Sequence, residues 1–263
     1  MPKSSSITDI GKKRIMNQDY IYASDIPVGG LPNLYIVADG MGGHQAGDYA
    51  SRFTVTRLAG RLETETSGYF STEHGKKEEI LTSLNELVSS NLKEVNRQLR
   101  NIARSSQSLY GMGTTAVISV VQGSRLHAWN VGDSRLYLYR QGPTEKEGKM
   151  LQVTRDHSLV EEMIEAGTLT ESGAREHPDK NVITRAVGAE DRLKVDYFSV
   201  ELMKGDLILM CTDGLTNMLE NQAIARIIAD RTSLEAGAFE LVAQANANGG
   251  RDNISVILID PGC

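Results

Sequence analysis

Four aspartates in this chain stand at the ends of apolar runs, each close to glycine. Asp39 lies in Tyr35-Ile-Val-Ala-Asp-Gly-Met-Gly-Gly-His44, Asp133 closes Ala128-Trp-Asn-Val-Gly-Asp, Asp213 closes Leu207-Ile-Leu-Met-Cys-Thr-Asp, and Asp252 sits in Gly249-Gly-Arg-Asp-Asn just before a last apolar run. Taken singly, an Asp-Gly pair after a strand is a turn, because aspartate bonds its own backbone and glycine accepts positive φ. Four such acids are harder to assign to turns alone. Gathered in one place they would repel and raise one another's pKa unless cations offset them. Ligation by aspartate oxygens and an exposed backbone carbonyl, with no histidine or cysteine cluster, selects hard ions such as Mg²⁺ or Mn²⁺ over zinc or copper. Two such ions about 3.5–4 Å apart, bridged by one carboxylate, lower the pKa of a shared water and steady an in-line attack on phosphorus. The chemistry predicted is phosphate-ester hydrolysis. Arg14, five residues before Asp19, could present a bidentate guanidinium to phosphoryl oxygens, although most arginines are solvated surface charges.

The elements that must position these groups are read from periodicity. Residues 4–22 suggest two edge-type strands with a turn at Gly11, placing Arg14 and Asp19 near one end of a sheet. A helix is predicted over 46–62, just past the glycines, then a loop over 64–75 rich in Thr, Ser, Glu and Gly. A long amphipathic helix follows over 76–104, with Ile80, Leu84, Leu87, Val88, Leu92, Val95, Leu99 and Ile102 on one stripe. The period then changes, and 110–142 reads as an antiparallel meander whose last run has one face covered and one nearer water. Beyond it the pattern gives a strand at 150–154, a helix over 158–166 ending at Gly167, and a polar, partly helical excursion to 181. Strands at 182–188, 197–202 and 207–212, helices at 221–229 and 234–247, and a final strand at 254–259 complete the chain.

The 263 residues, 40% hydrophobic and 24% charged, suit an ordinary globular domain, here taken as one unit over 1–263. A net charge of −6 argues against nucleic acid as a partner. No apolar run approaches the roughly 18 residues of a membrane span and no leader pattern opens the chain, so a cytoplasmic protein with no membrane partner is expected. Cys211 and Cys263 are too few and too far apart for a disulfide framework or a thiolate metal site. The glycines around Gly40 lack the Gly-Lys-Ser/Thr of a P-loop and the third glycine of a dinucleotide fingerprint.

In order along the chain, Arg14-Ile-Met-Asn-Gln-Asp19, Val37-Ala-Asp-Gly-Met-Gly-Gly-His44, Gly113-Thr-Thr-Ala116, Val131-Gly-Asp-Ser-Arg135, Thr154-Arg-Asp-His-Ser158, His177-Pro with Asn181-Val-Ile-Thr-Arg-Ala-Val-Gly188, Cys211-Thr-Asp-Gly-Leu215 and Gly250-Arg-Asp-Asn-Ile254 resemble the motifs of the metal-dependent PP2C-type (PPM) Ser/Thr protein phosphatases, in their bacterial form. The resemblance spans nearly the whole chain. It implies an α+β fold, a four-layer α-β-β-α sandwich of two antiparallel sheets flanked by helices, with a small flap over about 159–185. It implies that Asp39 bridges two Mn²⁺ or Mg²⁺ ions, that Gly40 lends its carbonyl, that Asp213 and Asp252 ligate the first ion, and that Asp19 acts beside the second through water. Asp133 matches an acid that helps hold a third, looser ion with the Asp213 position, and Arg14 matches the phosphate-binding arginine. The expected partners are phosphorylated proteins, a cognate Ser/Thr kinase and its substrates, met by a monomer.

Two positions depart from the eukaryotic pattern. Met41 stands where a histidine is the proposed proton donor, and Met41 has no proton to give. His44, three residues on, is open between a structural role and a polar partner of the phosphate or of a carboxylate. Gln18 replaces an acidic residue beside the second ion. His157 reads as a structural hydrogen-bonding residue and His177 as a packing or solvent-facing one. A second reading from another class is a regulatory pseudophosphatase that binds phosphoproteins without turnover.

Overall fold

Near-continuous apolar runs become strands covered on both faces, and both sheets are built around such strands. The computed structural model describes residues 1–43, 45–67, 77–142 and 148–262, with backbone alone for 77–82. One sheet has the order β1 (Lys3–Asp9), β11 (Ile254–Asp260), β10 (Leu207–Cys211), β7 (Arg135–Arg140), β8 (Lys149–Gln152). The other runs β2 (Asp19–Ser24), β3 (Leu34–Met41), β5 (Ala116–Gln122), β6 (Arg125–Val131), β9 (Asp196–Glu201), with the short β4 (Gly113–Thr114) against the end of β3. All pairings are antiparallel.

The two sheets pack face to face through Tyr35, Val37, Leu126, Leu138, Met210 and Ile257, all buried. Outside the second sheet lie α1 (Ala46–Thr66) and α2 (Lys77–Ser105). The apolar stripe of α2 at Leu84, Val88, Leu92, Val95 and Leu99 is fully buried, and each of these side chains contributes about 1.5–3 kcal/mol by leaving water. Two further helices introduced below cover the other sheet. The result is the expected α-β-β-α sandwich.

The chain differs from its sequence reading in informative places. β1 and β2 are edge strands as expected, but they belong to different sheets, so 10–18 is a loop that crosses the sandwich edge rather than a hairpin turn. The expected meander also splits: β5 and β6 pair, whereas β7 pairs with β10 and β8 in the opposite sheet. The crossing occurs at Gly132-Asp133-Ser134, where Gly132 has φ of +104°. Both faces of β7 are consequently buried, Leu136 and Leu138 between the sheets and Tyr137 and Tyr139 under helices, which overturns the expected water-facing side. Residues 182–188 form no strand. They make single bridges, Ile183 to Ser158 and Val187 to Thr114, because each end is recruited by a different partner and no ladder can extend. α1 runs one turn past its expected end, and 68–75 of the expected loop lies outside the described residues.

Between β8 and β9 the chain leaves the sandwich after Ser158. It carries α3 (Leu159–Glu165), capped by the Ser158 hydroxyl accepting from Glu161 N–H, and α4 (Glu171–Glu176), capped by Thr170 accepting from Gly173 N–H. After β10 comes the single turn α5 (Asp213–Thr216), followed by α6 (Asn221–Asp230) and α7 (Leu234–Ala247), the latter pair covering the first sheet. No helix among the described residues is long and apolar enough to cross a membrane.

Candidate active site

Asp19 and Asp39 face each other across the β2/β3 pair, an arrangement of like charges that a sheet tolerates only with compensation. Asp213 begins α5 with one residue between it and the end of β10, and Asp252 lies two residues before β11, whose Val256 pairs with Cys211 at that end of β10. Asp133 lies in the crossing between β6 and β7. The antiparallel topology thus delivers acids from five strand ends to one end of the sandwich. A cleft of about 600 Å³ is lined by Asp133 and Asp213 together with Arg155, Lys180 and residues of α3 and α4, Arg175 among them.

Backbone and hydroxyl contacts fix each acid. Asp39 N–H donates to Thr115 Oγ1 (2.8 Å), and its carbonyl accepts from Thr115 N–H (2.9 Å) and Thr114 Oγ1 (2.8 Å). Thr115 Oγ1 is in turn 2.8 Å from Ser134 Oγ, next to Asp133. Asp19 Oδ2 accepts from Ser255 Oγ (2.7 Å) and Thr212 Oγ1 (2.9 Å), hydroxyls that flank Asp213 and Asp252. Asp213 Oδ2 accepts from Asn217 Nδ2 (2.8 Å). Gly214 lets this turn approach β11: a Cβ there would lie 1.9 Å from the Asn253 carbonyl oxygen. Gly40 donates its N–H to the Gln18 carbonyl (3.1 Å), and Gln18 Nε2 donates to the Gly42 carbonyl (3.3 Å). Where an acid was expected by analogy, Gln18 instead braces the glycine turn.

The electrostatics follow from this crowding. Burial, then the charges of Asp19, Asp213, Asp133 and Asp252, hold the Asp39 carboxyl well above the ordinary carboxylate range. Burial pushes Asp19 up to about 7 against the opposing pull of the Ser255 and Thr212 hydroxyls, and burial with Asp252 pushes Asp213 up to about 6. Asp133 is raised by burial and then by Asp213 and Asp156, with Arg135 opposing. Arg135 itself is spent on Asp156, through Nε (2.9 Å) and Nη2 (2.7 Å), and on the Tyr137 hydroxyl (2.9 Å).

Among the described residues, three buried carboxylate oxygens, Asp19 Oδ1, Asp133 Oδ1 and Asp213 Oδ1, have no hydrogen-bond partner. Buried acceptors left unpaired are costly and rare. Oxygen-only donors with unspent lone pairs fit a hard divalent cation in type. Among the described residues no three acidic, histidine or cysteine side chains close around one point, and one of the acids, Asp252, is paired with Arg14, whose Nη2 lies 2.7 Å from Asp252 Oδ2. The sequence-predicted arginine is therefore at the rim of the acid cluster, half-exposed and engaged with one of its members. His44 lies outside the described residues.

Sequence reasoning missed the residues that hold the Arg14 loop. Asn253, buried, accepts from Gln18 N–H at Oδ1 (2.8 Å) and donates from Nδ2 to the carbonyls of Ile10 and Met16 (3.0 Å each), while Lys12 N–H donates to the Gly250 carbonyl (2.7 Å). The available signal was an amide directly after Asp252; its long-range partners have no signature in the sequence. Asn253→Ala should cost about 3 kcal/mol by leaving three backbone groups unpaired, read as a lowered urea midpoint, and should raise KM for a phosphopeptide as Arg14 loses its support. An unchanged midpoint would refute the clamp.

The model of the protein phosphatase 2C family matches residues 11–246. A serine/threonine phosphatase (stp) of Listeria innocua is 39% identical over 227 residues, 86% of this chain and 84% of that one. The solved serine/threonine phosphatase of S. agalactiae superposes with a TM-score of 0.83 at 36% identity, covering 98% of this chain and 99% of that chain. The catalytic domain of the phosphatase PstP, solved with two manganese ions, gives a TM-score of 0.77 at 27% identity over 98% of this chain and 97% of its own.

Proposed function

The chain belongs to the protein phosphatase 2C family and is a metal-dependent Ser/Thr protein phosphatase, and on that premise we propose that its acid cluster is the metal centre of phosphoserine and phosphothreonine hydrolysis. The observation that carries the proposal is the set of three buried carboxylate oxygens, on Asp19, Asp133 and Asp213, that have no hydrogen-bond partner among the described residues and whose charges act on Asp39. Asp39 would bridge two Mn²⁺ or Mg²⁺ ions, with Asp213, Asp252 and the Gly40 carbonyl completing the first, Asp19 acting beside the second through water, and Asp133 with Asp213 offering a looser third position. Bound there, such ions supply an activated water and neutralise charge on the phosphoryl oxygens.

This chain's own residues do the rest. Arg14 exchanges Asp252 for the phosphoryl group, and its planar fork orients that group for in-line attack. The hydroxyls of Thr212 and Ser255 hold Asp19 Oδ2 so that Oδ1 stays turned to the cluster. Thr114 and Thr115 pin the Asp39 backbone, so its carboxylate is placed by the sheet and needs little reorganisation. The α3–α4 segment walls the cleft through which the phosphoprotein enters. The substrates in this reading are proteins phosphorylated by a bacterial Ser/Thr kinase, the kinase among them, and the chain acts on them in the cytoplasm as a monomer. Retention of Asp39, Asp213 and Asp252 speaks against a pseudophosphatase.

Purified protein with Mn²⁺ should release inorganic phosphate from a phosphothreonine peptide, and excess chelator should stop the release. A rate that chelator leaves unchanged would sink the metal-dependent reading.

A further inference from the structure

We propose that His157 is a positioning residue that joins the base of the 159–183 segment to Asp133, so that the segment and the Asp133 carboxylate are placed as one unit. The inference rests on the reading of Asp133 as a metal ligand given above. His157 is buried, with 6% of its surface exposed. It clasps Gly132 from both sides: its backbone N–H donates to the Gly132 carbonyl (3.0 Å), and its ring Nδ1 accepts from Gly132 N–H (3.0 Å). Since Nδ1 accepts, the neutral ring carries its proton on Nε2, which lies 3.1 Å from Asp196 Oδ2 at the start of β9. Arg185 Nη1 donates to the other oxygen of that carboxylate at 2.6 Å and also lies 2.9 Å from Nε2, so with the proton on Nε2 both donors are held by the one Asp196 carboxylate.

The same residue is the root of the excursion. Its carbonyl accepts from Thr184 N–H (2.9 Å), Ser158 bridges Ile183, and Leu159 N–H donates to the Val182 carbonyl (2.9 Å). The outgoing and returning chain of the segment are thus both tied at His157 and its neighbour. On the other side, Gly132 has no freedom to move alone: a Cβ there would lie 2.6 Å from Thr115 Cγ2, and Thr115 already holds the Asp39 N–H. Asp133 follows Gly132 directly, and its buried Oδ1 has no hydrogen-bond partner among the described residues. His157 therefore joins, through its ring, the β9 edge and the backbone that precedes Asp133, and, through its own carbonyl, the base of the segment.

The two ring nitrogens can be separated by substitution. Asparagine places its oxygen near Nδ1 and keeps an acceptor for Gly132 while losing Asp196; glutamine reaches toward Asp196 and abandons Gly132. On the full chain, we expect calorimetry with Mn²⁺ to show the weakest binding step of His157→Gln loosened about tenfold or more, the range typical for lost outer partners of metal ligands. His157→Asn should stay within about threefold of the parent on the same scale. Amide exchange at Gly132 should quicken in His157→Gln and not in His157→Asn. Asp133→Asn serves as the reference for the metal reading. If Asp133→Asn loosens that step and His157→Gln does not, the coupling is wrong. If Asp133→Asn leaves the isotherm unchanged, the ligand role of Asp133 fails and the inference falls with it. Should His157→Gln not fold, Asp196→Ala decides: quicker exchange at Gly132 supports the link, and unchanged exchange overturns it.

Discussion

Asp39→Asn should lower phosphopeptide hydrolysis by at least about 10³-fold in kcat, since the bridging carboxylate places the charge on which transition-state stabilisation depends. Saturating Mn²⁺ should not restore it. The same variant should be more stable than the parent when both are held in chelator at neutral pH. Asp19, Asp39, Asp133 and Asp213 all titrate above their ordinary value of 3.8 in the fold, Asp213 at about 6 and Asp19 at about 7. A folded state that binds protons more tightly than the unfolded chain loses stability as pH rises. For Asp213 and Asp19 the loss begins above 3.8 and is complete beyond about 6 and about 7. Chelated parent protein should accordingly melt higher at pH 5 than at pH 8, and Asp39→Asn should narrow the gap, by about 2–4 °C for each kcal/mol of repulsion removed. A variant that keeps parental turnover, or that melts lower than the parent at pH 8 in chelator, would contradict this placement of Asp39.

Arg14→Ala should reduce kcat/KM for a phosphopeptide by about 10²–10³-fold, the loss of a charge-assisted fork on phosphoryl oxygens. Folding stability should move little, because the side chain is half-exposed and its pair with Asp252 is screened by water. Arg14→Lys should recover only part of the loss, as an ammonium carries the charge without the planar pair of donors. Freed from Arg14, Asp252 should also bind Mn²⁺ no more weakly than before, which separates a phosphate-orienting role from a metal-holding one. Parental kcat/KM in Arg14→Ala, or a large loss of Mn²⁺ affinity, would reassign the residue.

Much of the site was legible because its acids sit at strand ends beside glycine, where a carboxylate and a bare backbone meet at a sheet edge. Asp39, Asp133 and Asp213 each follow an apolar run long enough to be a buried strand, and the packed sheets bring those ends together. Crossing between sheets was not legible: Val131-Gly-Asp-Ser-Arg135 has the composition of a hairpin turn, and only the pairing of β7 with β10 shows that it spans the sandwich. For the same reason 182–188 looks like a strand while its apolar residues answer to two separate partners. Thr115, Thr212, Asn253 and Ser255 escaped because small polar residues at strand ends serve many local purposes, and their partners lie 76, 193, 235 and 236 residues away. His157 was read as a structural histidine, and its contacts with Gly132 and Asp196 are structural; the position of Gly132 next to Asp133 gives them consequence.

Anomalous diffraction from crystals grown with Mn²⁺ tests the central claim most directly. Two peaks about 3.5–4 Å apart, both touching the Asp39 carboxylate and one of them also touching Asp213 and Asp252, are the predicted result. Peaks elsewhere on the molecule, or none at the acid cluster under conditions where the protein turns over phosphopeptide, would contradict it.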